Sequence, residues 1–145
     1  MSTNATVSLK TKKGIQSIYC HWDGYPEYLG NILMGNYCNE EKIQNLLNQG
    51  DASIIDEKID FDPKYEHSFE KRQEGSCLFY HRDRGETLET HFFKTISEML
   101  KSFGQQHNYY YHDGIWYHCE PLESSKNQWL PLAVVLDREM EEEDG

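Results

Sequence analysis

The chain has 145 residues, enough for one ordinary domain whose core needs neither disulfide nor metal to hold it. Only 37% of it is hydrophobic but 13% is aromatic, so the core must draw on Tyr, Phe and Trp, and a chain disordered over most of its length is excluded. The formal net charge of −11 disfavours nonspecific binding to nucleic acid, because an unpaired acidic excess repels a phosphate backbone over the distances that steer association.

Residues 5–11 and 15–22 read as two strands, with Val7 and Leu9 alternating against polar neighbours and Lys12-Lys13-Gly14 as the turn. This hairpin leads straight into Trp22-Asp23-Gly24-Tyr25-Pro26, where Pro26 suits the first turn of a helix. Leu29, Ile32, Leu33 and Tyr37 fall on one face of a helix over 27–37. A second helix begins after Asn39 as N-cap, carries Glu40 and Glu41 in its first turn, buries Ile43, Leu46 and Leu47, and stops near Gly50.

Residues 51–75 lack periodicity and read as loop, with a short strand at 53–55. Residues 77–81 read as a strand that ends in the charged turn Arg82-Asp83-Arg84-Gly85-Glu86. A third helix over 91–103 places Phe92, Phe93, Ile96, Met99, Leu100 and Phe103 on an apolar face. Tyr109-Tyr110-Tyr111 and Ile115-Trp116-Tyr117 flank Asp113-Gly114, a strong short-hairpin signal. After Pro121 comes a polar loop, then the run 132–136 as a further strand, then a tail with six acids and one base.

Strands, then helices, then strands with hairpin connections predict an α+β fold: an antiparallel β-sheet with about three helices packed on one face. Residues 1–136 are expected as a single domain and residues 137–145 as a disordered acidic tail.

Cys20, Cys38, Cys77 and Cys119 form no C-x-x-C pair, and the chain opens without an apolar signal segment. Reduced thiols in a cytoplasm are the expectation. The run 130–136 contains Pro131 and is too short to cross a bilayer, so no membrane role is expected. Cys20-His21, His81 and His118-Cys119 offer metal-ligating atoms, yet no pair has a recognised ligand spacing, and neither a metal nor another cofactor is expected. Neither a nucleophile elbow nor a glycine-rich phosphate loop is present.

The chemistry concentrates in two stretches at strand ends. His21, Trp22, Asp23, Tyr25 and Glu27 combine acid, base and hydrogen-bonding groups with flat rings that stack on a ligand. Arg82, Asp83, Arg84 and Glu86 add forked donors suited to phosphate or carboxylate. The same residues also admit a plain structural reading. Asp23-Gly24 turns the chain, Pro26 and Glu27 start a helix, and the two arginines pair with neighbouring acids. Asp23, Glu27, Asp83 and Glu86 outnumber Arg82 and Arg84, so a phosphate is held only where some of those acids point elsewhere.

The run Tyr19-Cys20-His21-Trp22-Asp23-Gly24-Tyr25-Pro26, with Gly50-Asp51, Ser53, Tyr80-His81-Arg82-Asp83-Arg84-Gly85-Glu86 and Trp116-Tyr117, resembles a group of small bacteriophage and prophage proteins over about residues 5–118. His81 stands where that group has a small residue, and residues 121–145 extend beyond its usual end. The resemblance implies a viral accessory protein in the cytoplasm of a bacterial host, of the kind that blunts host defence by stoichiometric binding. The expected partner is a bacterial defence protein, such as a CRISPR-type nuclease with a basic surface, or a nucleotide-like immune signal. Self-association is left open. The alternative is a small enzyme on a phosphorylated or nucleotide substrate, with His21 and Asp23 in acid–base roles and Arg82 and Arg84 stabilising negative charge.

Overall fold

A computed structural model describes residues 3–121 and the backbone of 128–144, with side chains of the last stretch described to Arg138. The polar loop expected after Pro121 lies outside the described residues over 122–127. Strands β1 (Ala5–Thr11) and β2 (Gly14–Cys20) form the expected hairpin, pairing antiparallel from Ala5↔Cys20 to Thr11↔Gly14. A π-helical turn (Pro26–Gly30) with Pro26 in its first position runs directly into α1 (Asn31–Asn36). Helix α2 (Glu40–Asn48) starts at the predicted cap, where the Asn39 side chain accepts the Lys42 N–H at 2.8 Å.

Short strands β3 (Ala52–Ile54) and β4 (Leu78–Phe79) follow, then α3 (Tyr80–Arg84). The Arg-Asp-Arg run is therefore one turn of helix, not the charged turn read from the sequence. Residues 91–103 are likewise not one helix. They divide into β5 (His91–Phe93) and α4 (Ile96–Phe103), because Thr95 caps the helix, its hydroxyl accepting the Glu98 N–H at 3.1 Å. Phe92 and Phe93 match the helical spacing, but the cap lies after them. Strands β6 (His107–His112) and β7 (Ile115–Cys119) form the expected hairpin, with Asp113 at φ 50° and Gly114 at φ 81°. Strand β8 (Leu130–Pro131) leads into α5 (Leu132–Asp144), so the run 132–136 opens a helix instead of forming a strand, and helical backbone continues through the acidic stretch to Asp144.

The fold is α+β, with eight strands and five α-helices among the described residues. The sheet is mixed, not antiparallel throughout: its order is β4-β3-β2-β1-β6-β7-β8, and β1·β6 and β2·β3 are parallel pairs. The antiparallel expectation failed because it counted hairpins between sequence neighbours. The β1 edge is instead completed by β6, which arrives about a hundred residues later.

Alternation along the central strands sorts the two faces. Ala5, Val7, Leu9, Ile18, Cys20, Tyr109 and Tyr111 project into one apolar core with Leu29, Leu33, Tyr37, Ile43, Leu46, Leu47 and Leu132. Helices α1, α2 and α5 thus cover that face. The opposite face carries Thr6, Ser8, Ser17 and Asn108, which satisfy one another: Thr6 Oγ1 donates to Asn108 Oδ1 at 2.7 Å, and the Ser8 and Ser17 hydroxyls meet at 2.5 Å. Helix α4 lies on this second face, where Phe103 meets His91 and Phe93. The helices therefore do not all pack on one side. Buried aromatics supply the core as composition required, and their polar atoms are paired. Tyr37 donates to Asp56 O at 2.8 Å, Tyr109 to Gly24 O at 2.7 Å, and Trp116 Nε1 to Tyr37 O at 2.9 Å.

Candidate functional site

The free edge of β2 is shared by two strands. β5 pairs with Ile15, Gln16 and Ser17, and β3 pairs at Cys20. Between them Tyr19 has no strand partner for its N–H, and the Asp51 carboxylate supplies one, accepting at 2.9 Å through Oδ1. His91 Nε2 sits 3.1 Å from Asp51 Oδ2. The main chain fixes this junction, since Asp51 N–H donates to Glu89 O at 3.0 Å and Tyr80 N–H donates to Asp51 O at 3.2 Å. Gly50, at φ 83°, makes the approach feasible. A Cβ there would lie 2.7 Å from Leu88 Cδ1 and 3.0 Å from Glu89 O.

A cleft of about 420 Å³ opens at this junction, lined by Asp51, Tyr80, His81, Glu86, Thr87 and Glu89. Its walls are polar, and three of these residues are carboxylates. Burial pushes the Tyr80 hydroxyl above its ordinary pKa, against the opposing effects of its bond with Ser53 and the nearby Arg84 charge. Tyr80 is therefore a neutral hydrogen-bonding wall of the cleft at physiological pH.

The two sequence-predicted stretches flank β3 from opposite edges. His21 and Trp22 extend the β2·β3 pairing, their N–H groups donating to Ala52 O at 3.1 Å and Ser53 O at 2.9 Å. His21 Nδ1 lies 2.7 Å from Tyr19 Oη, and Trp22 is 45% exposed. Asp23 takes a left-handed φ of 57°, Tyr25 is 37% exposed beside Tyr28, and Pro26 is buried. Glu27 is exposed. Its charge acts on His107 and His118, whose Nδ1 and Nε2 are 2.9 Å apart at the ends of β6 and β7. Burial drives both imidazoles towards the neutral form, His118 to about 4, and Glu27 opposes that shift. Residues 21–27 thus serve two neighbourhoods, and none of them lines the cleft described above.

Arg82 is committed internally, and Arg84 forms an exposed ion pair with its neighbour. Arg82 grips Asp83 through Nε at 2.8 Å and Nη2 at 3.0 Å, donates to Ile59 O at 2.6 Å and Cys77 O at 3.0 Å, and lies over Phe61 and Phe79. Asp83, 2% exposed in its side chain, also accepts the Phe79 N–H at 2.8 Å, closing the start of α3. Arg84 pairs with Glu86 at 2.5 Å and lies over Phe69 and Tyr80. The partners of the two arginines in the structure are Asp83 and Glu86, two of the four acids that the plain reading offers.

Sequence reasoning passed over Asp51, Glu89 and His91. Gly50 enters as a helix stop, Asp51 as the first residue of a loop and through the resemblance, and His91 as a helix start with Glu89 just before it. The available signal was the helix-stopping Gly followed by an acid at the head of a strand. The thiols of Cys20, Cys77 and Cys119 are buried, and burial raises all three above the ordinary cysteine pKa, Cys20 to about 12, which removes them as nucleophiles or thiolate ligands at neutral pH. Among the described residues no helix is long and apolar enough to cross a membrane. No protein-family model, curated protein or solved structure matches this chain.

Proposed function

We propose that this chain is a stoichiometric binding protein, of the phage anti-defence kind its motifs suggest, which acts in a bacterial host by occupying a basic surface of a defence effector. One observation carries the choice of a basic partner over a phosphorylated signal: Arg82 is spent on Asp83 and Arg84 on Glu86, while the adjoining cleft presents the carboxylates of Asp51 and Glu89. An anion entering there meets like charge, whereas a lysine or arginine side chain meets complementary charge. The net charge of −11 acts in the same sense at longer range.

The test pairs two measurements. Immobilised protein is used to capture a partner from bacterial lysate, and the partner is purified and titrated against wild type and Glu86→Lys/Glu89→Lys. A basic partner whose affinity falls steeply with salt and at least tenfold on charge reversal supports the proposal. A panel of linear and cyclic nucleotides is run alongside by thermal shift. Stabilisation of about 2.7 kcal/mol at a hundredfold excess over Kd with the compound returned intact would replace this reading by sequestration of a signal. A converted compound would replace it by an enzyme.

A further inference from the structure

We infer that the Asp51–Glu89–His91 junction is a binding site for one divalent first-row transition-metal ion. The three side chains each offer a ligand atom, and these atoms all lie within 4.8 Å of one another. His91 Nε2 and Asp51 Oδ2 are 3.1 Å apart, the separation of two atoms that share one ion at about 2.1 Å each. Atoms on one such ion are at most about 4.2 Å apart, and the exposed Glu89 is the ligand with room to adjust to that limit.

The supporting shell is already built. Asp51 is aimed by the Tyr19 N–H, which donates to Oδ1 at 2.9 Å, and its Oδ2 faces His91 Nε2. The His91 ring packs on Phe103 with centroids 4.3 Å apart, which fixes its plane. The Asp51 N–H to Glu89 O bond holds the two carboxylate-bearing segments in register. His91 lies on β5 and Asp51 immediately precedes β3, so these two ligands lose little freedom on binding, while Glu89 sits on the loop before β5.

One imidazole with two carboxylates and no thiolate selects Mn²⁺, Fe²⁺, Co²⁺ or Zn²⁺ over the all-oxygen coordination of Ca²⁺ and Mg²⁺. Asp51 and Glu89 also line the cleft with Tyr80, His81 and Glu86, so a bound ion would border that cleft. The ion thereby gives the cleft a position where a water, or a donor atom from a bound molecule, attaches. The site shares Asp51 and Glu89 with the cleft of the partner reading, and its test needs only the purified chain.

The experiment titrates the full-length protein with Zn²⁺ by calorimetry and with Co²⁺ by visible absorption. One ion per chain is expected, with Asp51→Asn and His91→Asn each weakening binding about 100-fold and Glu89→Gln about tenfold. Asp51→Asn retains an acceptor for the Tyr19 N–H, so its fold is preserved, and the melting temperature of each variant confirms this. His112→Ala removes a surface imidazole elsewhere and is expected to bind as wild type. Absence of saturable binding up to about 1 mM, or affinity unchanged in both Asp51→Asn and His91→Asn, overturns the inference. Absence of metal binding in the wild-type protein with partner capture intact would sink this site alone, and metal binding without partner capture would sink the partner reading alone.

Discussion

The Asp51 carboxylate accepts the Tyr19 N–H at 2.9 Å in the gap where the edge of β2 passes from β5 to β3. A side chain thus completes a sheet ladder. Asp51→Ala leaves that N–H without its acceptor, and the expected loss is about 1–3 kcal/mol, read from urea denaturation. Asp51→Asn, which keeps the acceptor, is expected to lose less. Equal losses would show that the carboxylate does not act through Tyr19.

Arg82 and Arg84 are neighbours in one motif with different expected costs. Removing Arg82 takes the guanidinium partner from the buried Asp83 carboxylate and a donor from the Ile59 and Cys77 carbonyls, so Arg82→Ala is expected to destabilise by about 3 kcal/mol. Arg84 and Glu86 are 51% and 46% exposed in their side chains, so Arg84→Ala should cost under about 1 kcal/mol. Chemical denaturation of both variants measures the difference. Equal effects would contradict the internal role of Arg82.

The His107–His118 pair makes stability depend on pH. His118 titrates near 4 in the folded chain and near 6.5 when unfolded. Between those values the unfolded chain binds more protons, so this contribution is full above about pH 6.5 and is lost as the pH falls towards 4, at up to about 1.4 kcal/mol per unit. His107, also lowered, adds in the same direction. Melting temperatures from pH 7 to pH 4.5 should fall more steeply in wild type than in His118→Gln. Parallel curves would assign the acid sensitivity elsewhere.

Of the four cysteines, Cys38 is exposed and the others are buried. Native protein treated with a maleimide at neutral pH is expected to label once, at Cys38, with the remaining three reacting only in denaturant. Mass spectrometry after digestion identifies the site. Early labelling of Cys20 or Cys77 would reveal opening of the apolar face.

Local rules made several elements legible in the sequence itself. Asn39 followed by Glu40 and Glu41 marks the start of α2, Asp113-Gly114 marks the β6–β7 turn, and the alternation of Val7 and Leu9 marks β1. Each signal lies within a few residues and owes little to the rest of the chain. The aromatic composition likewise foretold a core built on Tyr37, Tyr109, Phe79 and Trp116. Where two local signals competed, as between the Phe92-Phe93 spacing and the Thr95 cap, the sequence alone favoured the wrong one.

Tertiary structure decided what crosses the chain. The parallel pairing of β1 with β6 joins residues about a hundred positions apart, and the division of the β2 edge between β3 and β5 depends on both strands being present. From that division come the position of Asp51 and its meeting with Glu89 and His91. The choice of Arg82 partner was equally remote, since Ile59 O and Phe61 come from a segment with no periodicity. Composition could count acids and arginines in the two motifs, but which charges neutralise one another is set by distance, and distance belongs to the fold.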